Sequence, residues 1–154
     1  MTFGTTEGKP WVEALPTERG AFTGRTFSRF HIVDGGGSVP TVGEVWATSD
    51  HAVESHAHDA DELLYVLSGA IEINGRKLRA GEVVFIPRGT SYAAGVLSDE
   101  GAHVLRVELP NAGSRGAGSE YGARVWQGAL TDDGVPRLAG TAGRRGARAP
   151  GGRH

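Results

Sequence analysis

Between residues 26 and 109 the chain alternates apolar and polar side chains in short runs broken by Gly, Pro, Asn, Asp and Ser. Period-two alternation bounded by turn residues is the signature of half-buried β-strands. The pattern predicts strands over 27–33, 43–48, 53–58, 63–67, 70–74, 76–78, 83–86, 91–96 and 103–109. Even spacing of this kind argues for an all-β sandwich or barrel. Asn74-Gly75 lies between Ile71-Glu72-Ile73 and Arg76-Lys77-Leu78, and both residues tolerate the positive φ of a type I′ turn, so a tight hairpin is predicted there with Ile71 and Ile73 facing inward.

The ends read differently. Residues 1–24 carry Pro10, Pro16 and several glycines without periodicity, which predicts an irregular arm packing through Trp11 and Val12. The β-rich body spans 25–111. A C-terminal extension over 112–139 opens on a Gly/Ser/Ala loop, and 121–126 is suited to one more strand covering a sheet edge. Residues 140–154 are mostly Gly, Ala, Arg and Pro, with too little to bury to offset conformational entropy, so a disordered tail is expected. No internal repeat is present.

Composition narrows the function. A chain of 154 residues with 38% hydrophobic content can build one core. The formal charge is −2 and Lys9 and Lys77 are the only lysines. No basic face stands out, and nucleic acid is not an expected partner. Without cysteine there are no disulfides or thiolate metal sites, leaving His and carboxylates as strong ligands. The first twenty residues lack a signal-like basic and apolar pattern, and no run reaches about 18 apolar residues. A cytoplasmic protein without a membrane segment is expected.

The candidate chemistry lies in His56-Ala57-His58-Asp59-Ala60-Asp61-Glu62. Side chains of a strand alternate faces, so His56 and His58 point the same way, and one cation can bridge them. Glu62 returns after a short acidic turn, in which Asp59 and Asp61 read as turn residues. The spacing His-x-His-x3-Glu-x6-Gly, closing at Gly69, resembles the first motif of the cupin superfamily. Gly81-x5-Pro87-x-Gly89-x2-Tyr92 resembles the second, with Tyr92 where cupins usually carry a histidine. The resemblance covers residues 28 to 110. It implies a small double-stranded β-helix, the jelly-roll barrel, with one motif pair, and an outer sheet that pairs two subunits into a homodimer.

It also implies a divalent metal held by His56, His58 and Glu62, with Tyr92 as a fourth ligand, a neighbouring hydrogen-bond donor or acid/base, or a packing residue. Two histidines and a carboxylate are the set of non-haem Fe(II) facial triads, so Fe(II) is favoured, while Zn, Mn, Ni or Cu also suit. His103 opens the run 103–109, in which 103, 105, 107 and 109 are expected on the inward face. It is either a packed structural residue or a second catalytic group that completes the metal shell. Trp46, Leu64 and Val66 have the register to line the site, Tyr65 the opposite face, and Arg88 the rim. His51 reads as an ordinary edge residue, and His31, on the face opposite Phe30 and Ile32, as an ordinary structural one. The expected activity is that of a metal-dependent dioxygenase, isomerase or cyclase on a small oxygenated substrate. The alternative is a small-molecule-binding module without catalysis.

Overall fold

The computed structural model describes residues 1–18, 20–33, 39–109 and 122–139. The loop expected at 111–119 and the tail expected at 140–154 lie outside the described residues. Twelve strands run in chain order: β1 (Val12–Leu15), β2 (Phe22–Thr23), β3 (Thr26–Ile32), β4 (Thr41–Ala47), β5 (Ala52–His56), β6 (Glu62–Ser68), β7 (Ala70–Ile73), β8 (Arg76–Arg79), β9 (Val83–Ile86), β10 (Tyr92–Val96), β11 (Ala102–Glu108) and β12 (Gly122–Val125). They form two antiparallel sheets, ordered β12-β1-β3-β4-β11-β6-β9 and β2-β5-β10-β7-β8. No helix among the described residues is long and apolar enough to cross a membrane.

Each strand predicted within the body is present, with ends shifted by a residue or two. The Asn74-Gly75 turn has φ of 49° and 80°, which the type I′ hairpin requires. Ile71 and Ile73 are buried between the sheets with Leu64, Val66, Leu78 and Val104. Fully burying an aliphatic side chain such as Val66 contributes roughly 1.5–3 kcal/mol, so this layer holds the two sheets together. β12 pairs with β1 from Val12↔Val125 to Leu15↔Gly122, covering a sheet edge as expected for 121–126.

The N-terminal arm is more regular than the sequence suggests. β1 joins the larger sheet between β12 and β3, and β2 joins the edge of the smaller one. Strands of four and two residues are too short to show a period. Trp11 does pack, on the outer face of the larger sheet with Phe27, Trp46 and Val135, and its Nε1 donates to the Gly134 carbonyl at 2.9 Å.

This second apolar cluster explains a reversal of parity. On β11 the inward side chains are Ala102, Val104 and Arg106, all of which line the interior cavity. His103 instead faces outward, its ring 5.9 Å from that of Trp11. Register carries the same reversal to β4, where His103↔Trp46 pair. Trp46 packs outward on Phe27 at 5.6 Å, and Val45 and Ala47 line the cavity in its place. Both faces of these strands are covered, so apolar residues no longer mark one face only.

Candidate metal centre and cavity

Between the sheets lies a cavity of about 190 Å³. Its walls are mainly apolar, with Val45, Val53, Leu64, Ile71, Ile73 and Val104 among them. Its polar residues include His56, His58, Glu62, Tyr92 and Arg106. Val53 and His56 both face inward despite odd spacing, because β5 carries a bulge: Tyr92 pairs with His56 while Ala94 pairs with Val53. The extra residue re-aims the chain. His56 and His58 come together as expected, although β5 ends at His56 and His58 lies just beyond it, and the bulge brings Val53 to the same face.

The two imidazoles meet. His56 Nε2 and His58 Nε2 are 3.0 Å apart. His56 Nδ1 is 2.8 Å from the Glu54 carbonyl, which can only accept, so Nδ1 carries the proton and, in the neutral ring, Nε2 is a bare lone pair. Metal-ligating histidines are held this way, the far nitrogen donating to a carbonyl. Burial, with the Arg106 charge, pushes the His58 pKa below its ordinary value and favours the neutral ring that a metal needs. With nitrogen–metal bonds of about 2.0–2.1 Å, two nitrogens at this separation are within reach of one ion. The donor set fits a divalent metal.

Glu62 is 1% exposed. Its Oε1 accepts the Tyr92 hydroxyl at 2.7 Å and its Oε2 accepts Arg106 Nε at 2.6 Å. Arg106 also pairs with Glu108 Oε1. Burial opposes the Glu62 charge, but Arg106, the Tyr92 hydroxyl and His58 outweigh it and hold the carboxyl below the usual glutamate range. Burial and the adjacent Glu62 charge push the Tyr92 phenol strongly upward, so it stays a neutral donor. Donor atoms of His58, Glu62 and Glu108 lie within 4.8 Å of one another.

The remaining sequence candidates fall elsewhere. His103, expected to face the site, lies across the sheet from it with Nε2 2.9 Å from Glu44 Oε1, close but not aligned as a hydrogen bond. Glu44 also holds Arg29 and His31, each at 2.9 Å. Leu64 lines the cavity and Val66 packs in the same core. Tyr65 is 40% exposed on the other face. Arg88 is exposed at the turn, where its backbone N–H donates to Asp61 Oδ1. Asp61 is thus a turn residue, as expected. Two cavity residues, His51 and Arg106, lie where the sequence pattern did not put them. His51 lines the cavity, with Nδ1 3.0 Å from the Thr23 carbonyl. Arg106 and its partner Glu108 were assigned to the outer face by parity. Their only signal was a charged pair inside an otherwise apolar strand.

Residues 30–108 match the cupin domain family. This chain is a cupin. Among solved structures, the cupin is similar to a predicted oxalate decarboxylase from Thermotoga maritima, at 18% identity and a TM-score of 0.58, covering 72% of this chain and 100% of that one. It is similar to the polyketide cyclase RemF from Streptomyces resistomycificus at 19% identity and a TM-score of 0.57, covering 86% and 89%. KdgF from Halomonas sp. matches at 19% identity and a TM-score of 0.52, covering 73% and 96%. At these identities the likeness establishes the fold. No curated protein is similar enough to this cupin to count as a match.

Proposed function

We propose that this cupin is a metal-dependent enzyme acting on a small oxygenated organic substrate, an enolisable carbonyl, 2-oxo acid or polyketide-like compound. His56, His58 and Glu62 hold the ion. The observation that carries the reading is the pair of imidazole Nε2 atoms at 3.0 Å, opening on an apolar cavity of about 190 Å³. A bound divalent ion, Fe(II) by preference, supplies a Lewis acid that polarises a carbonyl, and an iron also offers dioxygen chemistry. The chain does the rest. Leu64, Ile71, Ile73 and Val104 exclude water around the apolar part of the substrate. Tyr92 keeps its proton and holds Glu62 in place, so its role is that of a hydrogen-bond donor beside the centre. His103 has no part in it.

Metal analysis of freshly purified protein is the first test. Oxygen uptake and ultraviolet difference spectra with 2-oxo acids, 1,3-diketones and catechols then follow turnover. Substrate consumption that vanishes in His56→Ala supports the enzyme. Saturable binding with unchanged ligand supports the second reading, a non-catalytic binding module, which is favoured by Tyr92 committing its hydroxyl to Glu62 where cupins usually offer a histidine. A homodimer is part of the same proposal. Tyr65, Leu67, Val83 and Phe85 are 40–57% exposed on the outer faces of β6 and β9, and a second copy would cover them; light scattering that gives a monomer mass overturns this.

A further inference from the structure

Arg106 lies where the centre calls for a cation. It reaches inward from β11, donating through Nε to Glu62 Oε2 at 2.6 Å and pairing with Glu108 Oε1. These are the two carboxylates whose donor atoms gather with His58 within 4.8 Å. A guanidinium and a metal ion therefore compete for the same carboxylates. Both Glu62 oxygens are engaged, one by Tyr92 and one by Arg106. His56, although 3.0 Å from His58, is not a member of the His58, Glu62 and Glu108 group. Glu62 thus lies near His58 while both of its oxygens are held by Arg106 and Tyr92.

Two neighbouring carboxylates, one of them buried, need a positive partner, since an uncompensated buried charge is strongly destabilising. Guanidinium is charged at any working pH and suits carboxylates geometrically. We propose that Arg106 is the resident counter-cation of the metal-free protein, which holds Glu62 and Glu108 together until a divalent ion takes Glu62 and leaves Arg106 to Glu108. Metal uptake is then an exchange of one cation for another, and Arg106 lowers affinity while protecting the metal-free fold. This rests on the metal reading above. The opposite role, an outer donor that orients Glu62 and strengthens metal binding, predicts the reverse sign.

The experiment is calorimetric titration of the chelator-treated full chain with Zn²⁺, comparing wild type with Arg106→Gln and with Arg106→Gln/Glu108→Gln. The double variant removes one positive and one negative charge, so local net charge is unchanged and only Glu62 is left without its cation; circular dichroism of both metal-free variants checks folding before titration. Both variants are expected to bind Zn²⁺ about tenfold tighter or more, on the scale of groups adjoining a metal site. The metal-free single variant should melt below wild type and regain the difference on adding Zn²⁺. Adding His56→Ala to the double variant should abolish the gain. Equal or weaker Zn²⁺ binding by the double variant, or a gain that survives His56→Ala, overturns the exchange. If wild type binds Zn²⁺ and the variants bind no tighter, only this inference falls; if none of the folded proteins binds it, the metal reading falls too.

Discussion

Removing the Tyr92 hydroxyl isolates one hydrogen bond at the centre. Phenylalanine keeps the ring where it is, 4.7 Å from the His56 ring and 5.9 Å from that of His58. What disappears is the donor to Glu62 Oε1, between a tyrosine 5% exposed and a glutamate 1% exposed. A hydrogen bond to a charged group contributes roughly 1.5–3 kcal/mol, and the oxygen left behind has no access to water. Glu62 keeps Arg106, so it remains charged and bound on one side. The expected loss for Tyr92→Phe in chelator-treated protein is about 2 kcal/mol. Urea unfolding reads it as a fall in the midpoint at constant slope, since the surface exposed on unfolding hardly changes. In a cycle with Glu62→Gln, whose carbonyl accepts a weaker neutral bond, a coupling of about 1 kcal/mol should remain. A loss below about 0.5 kcal/mol, the range of an ordinary surface substitution, refutes the assignment of Tyr92 as the donor that holds Glu62.

His103→Gln should leave metal stoichiometry and affinity unchanged, measured by the same Zn²⁺ titration in which His56→Ala loses binding, because the His103 ring lies on the far face of the sheet beside Trp11. Glycine positions separate strain from collision: Gly75→Ala meets nothing within 4 Å at φ +80° and should cost about 1 kcal/mol, whereas at Gly101, φ +88°, a Cβ would sit 2.5 Å from the Ala47 carbonyl oxygen and thermal melting should show a clearly larger loss. Acid stability should depend on Glu13. Its pKa is lowered by the hydrogen bond from Arg25, against burial and with help from Arg124, so its contribution is fully present above the ordinary value of 4.5 and is lost as pH falls through the lower folded value. Glu13→Gln should flatten the acid limb of a stability–pH profile, and an unchanged limb would count against the pairing.

The strands, the Asn74-Gly75 hairpin and the His56/His58 pair were legible in the sequence because each depends on local rules: alternation, turn chemistry and motif spacing. The facing of Leu64, Val66 and Tyr65 was legible for the same reason, since β6 has one covered face and one open face. Alternation failed on β11, where Ala102 and Val104 fill the interior while His103 lies against Trp11 on the other side. A strand covered on both faces carries apolar residues at both parities, so the longer apolar series does not mark the interior and places Arg106 outside.

What the sequence alone determined is the family resemblance, the strands between residues 26 and 109 and the nearness of the two imidazoles, each set by short-range pattern and motif spacing. Which charges enter the barrel was decided by tertiary structure. Arg106 meets Glu62 across 44 residues and Tyr92 meets Glu62 across 30. Trp11 covers the strand bearing His103 from a segment with no period of its own. Such pairings follow from sheet register and from what covers each face, and those are properties of the assembled sandwich rather than of any one segment.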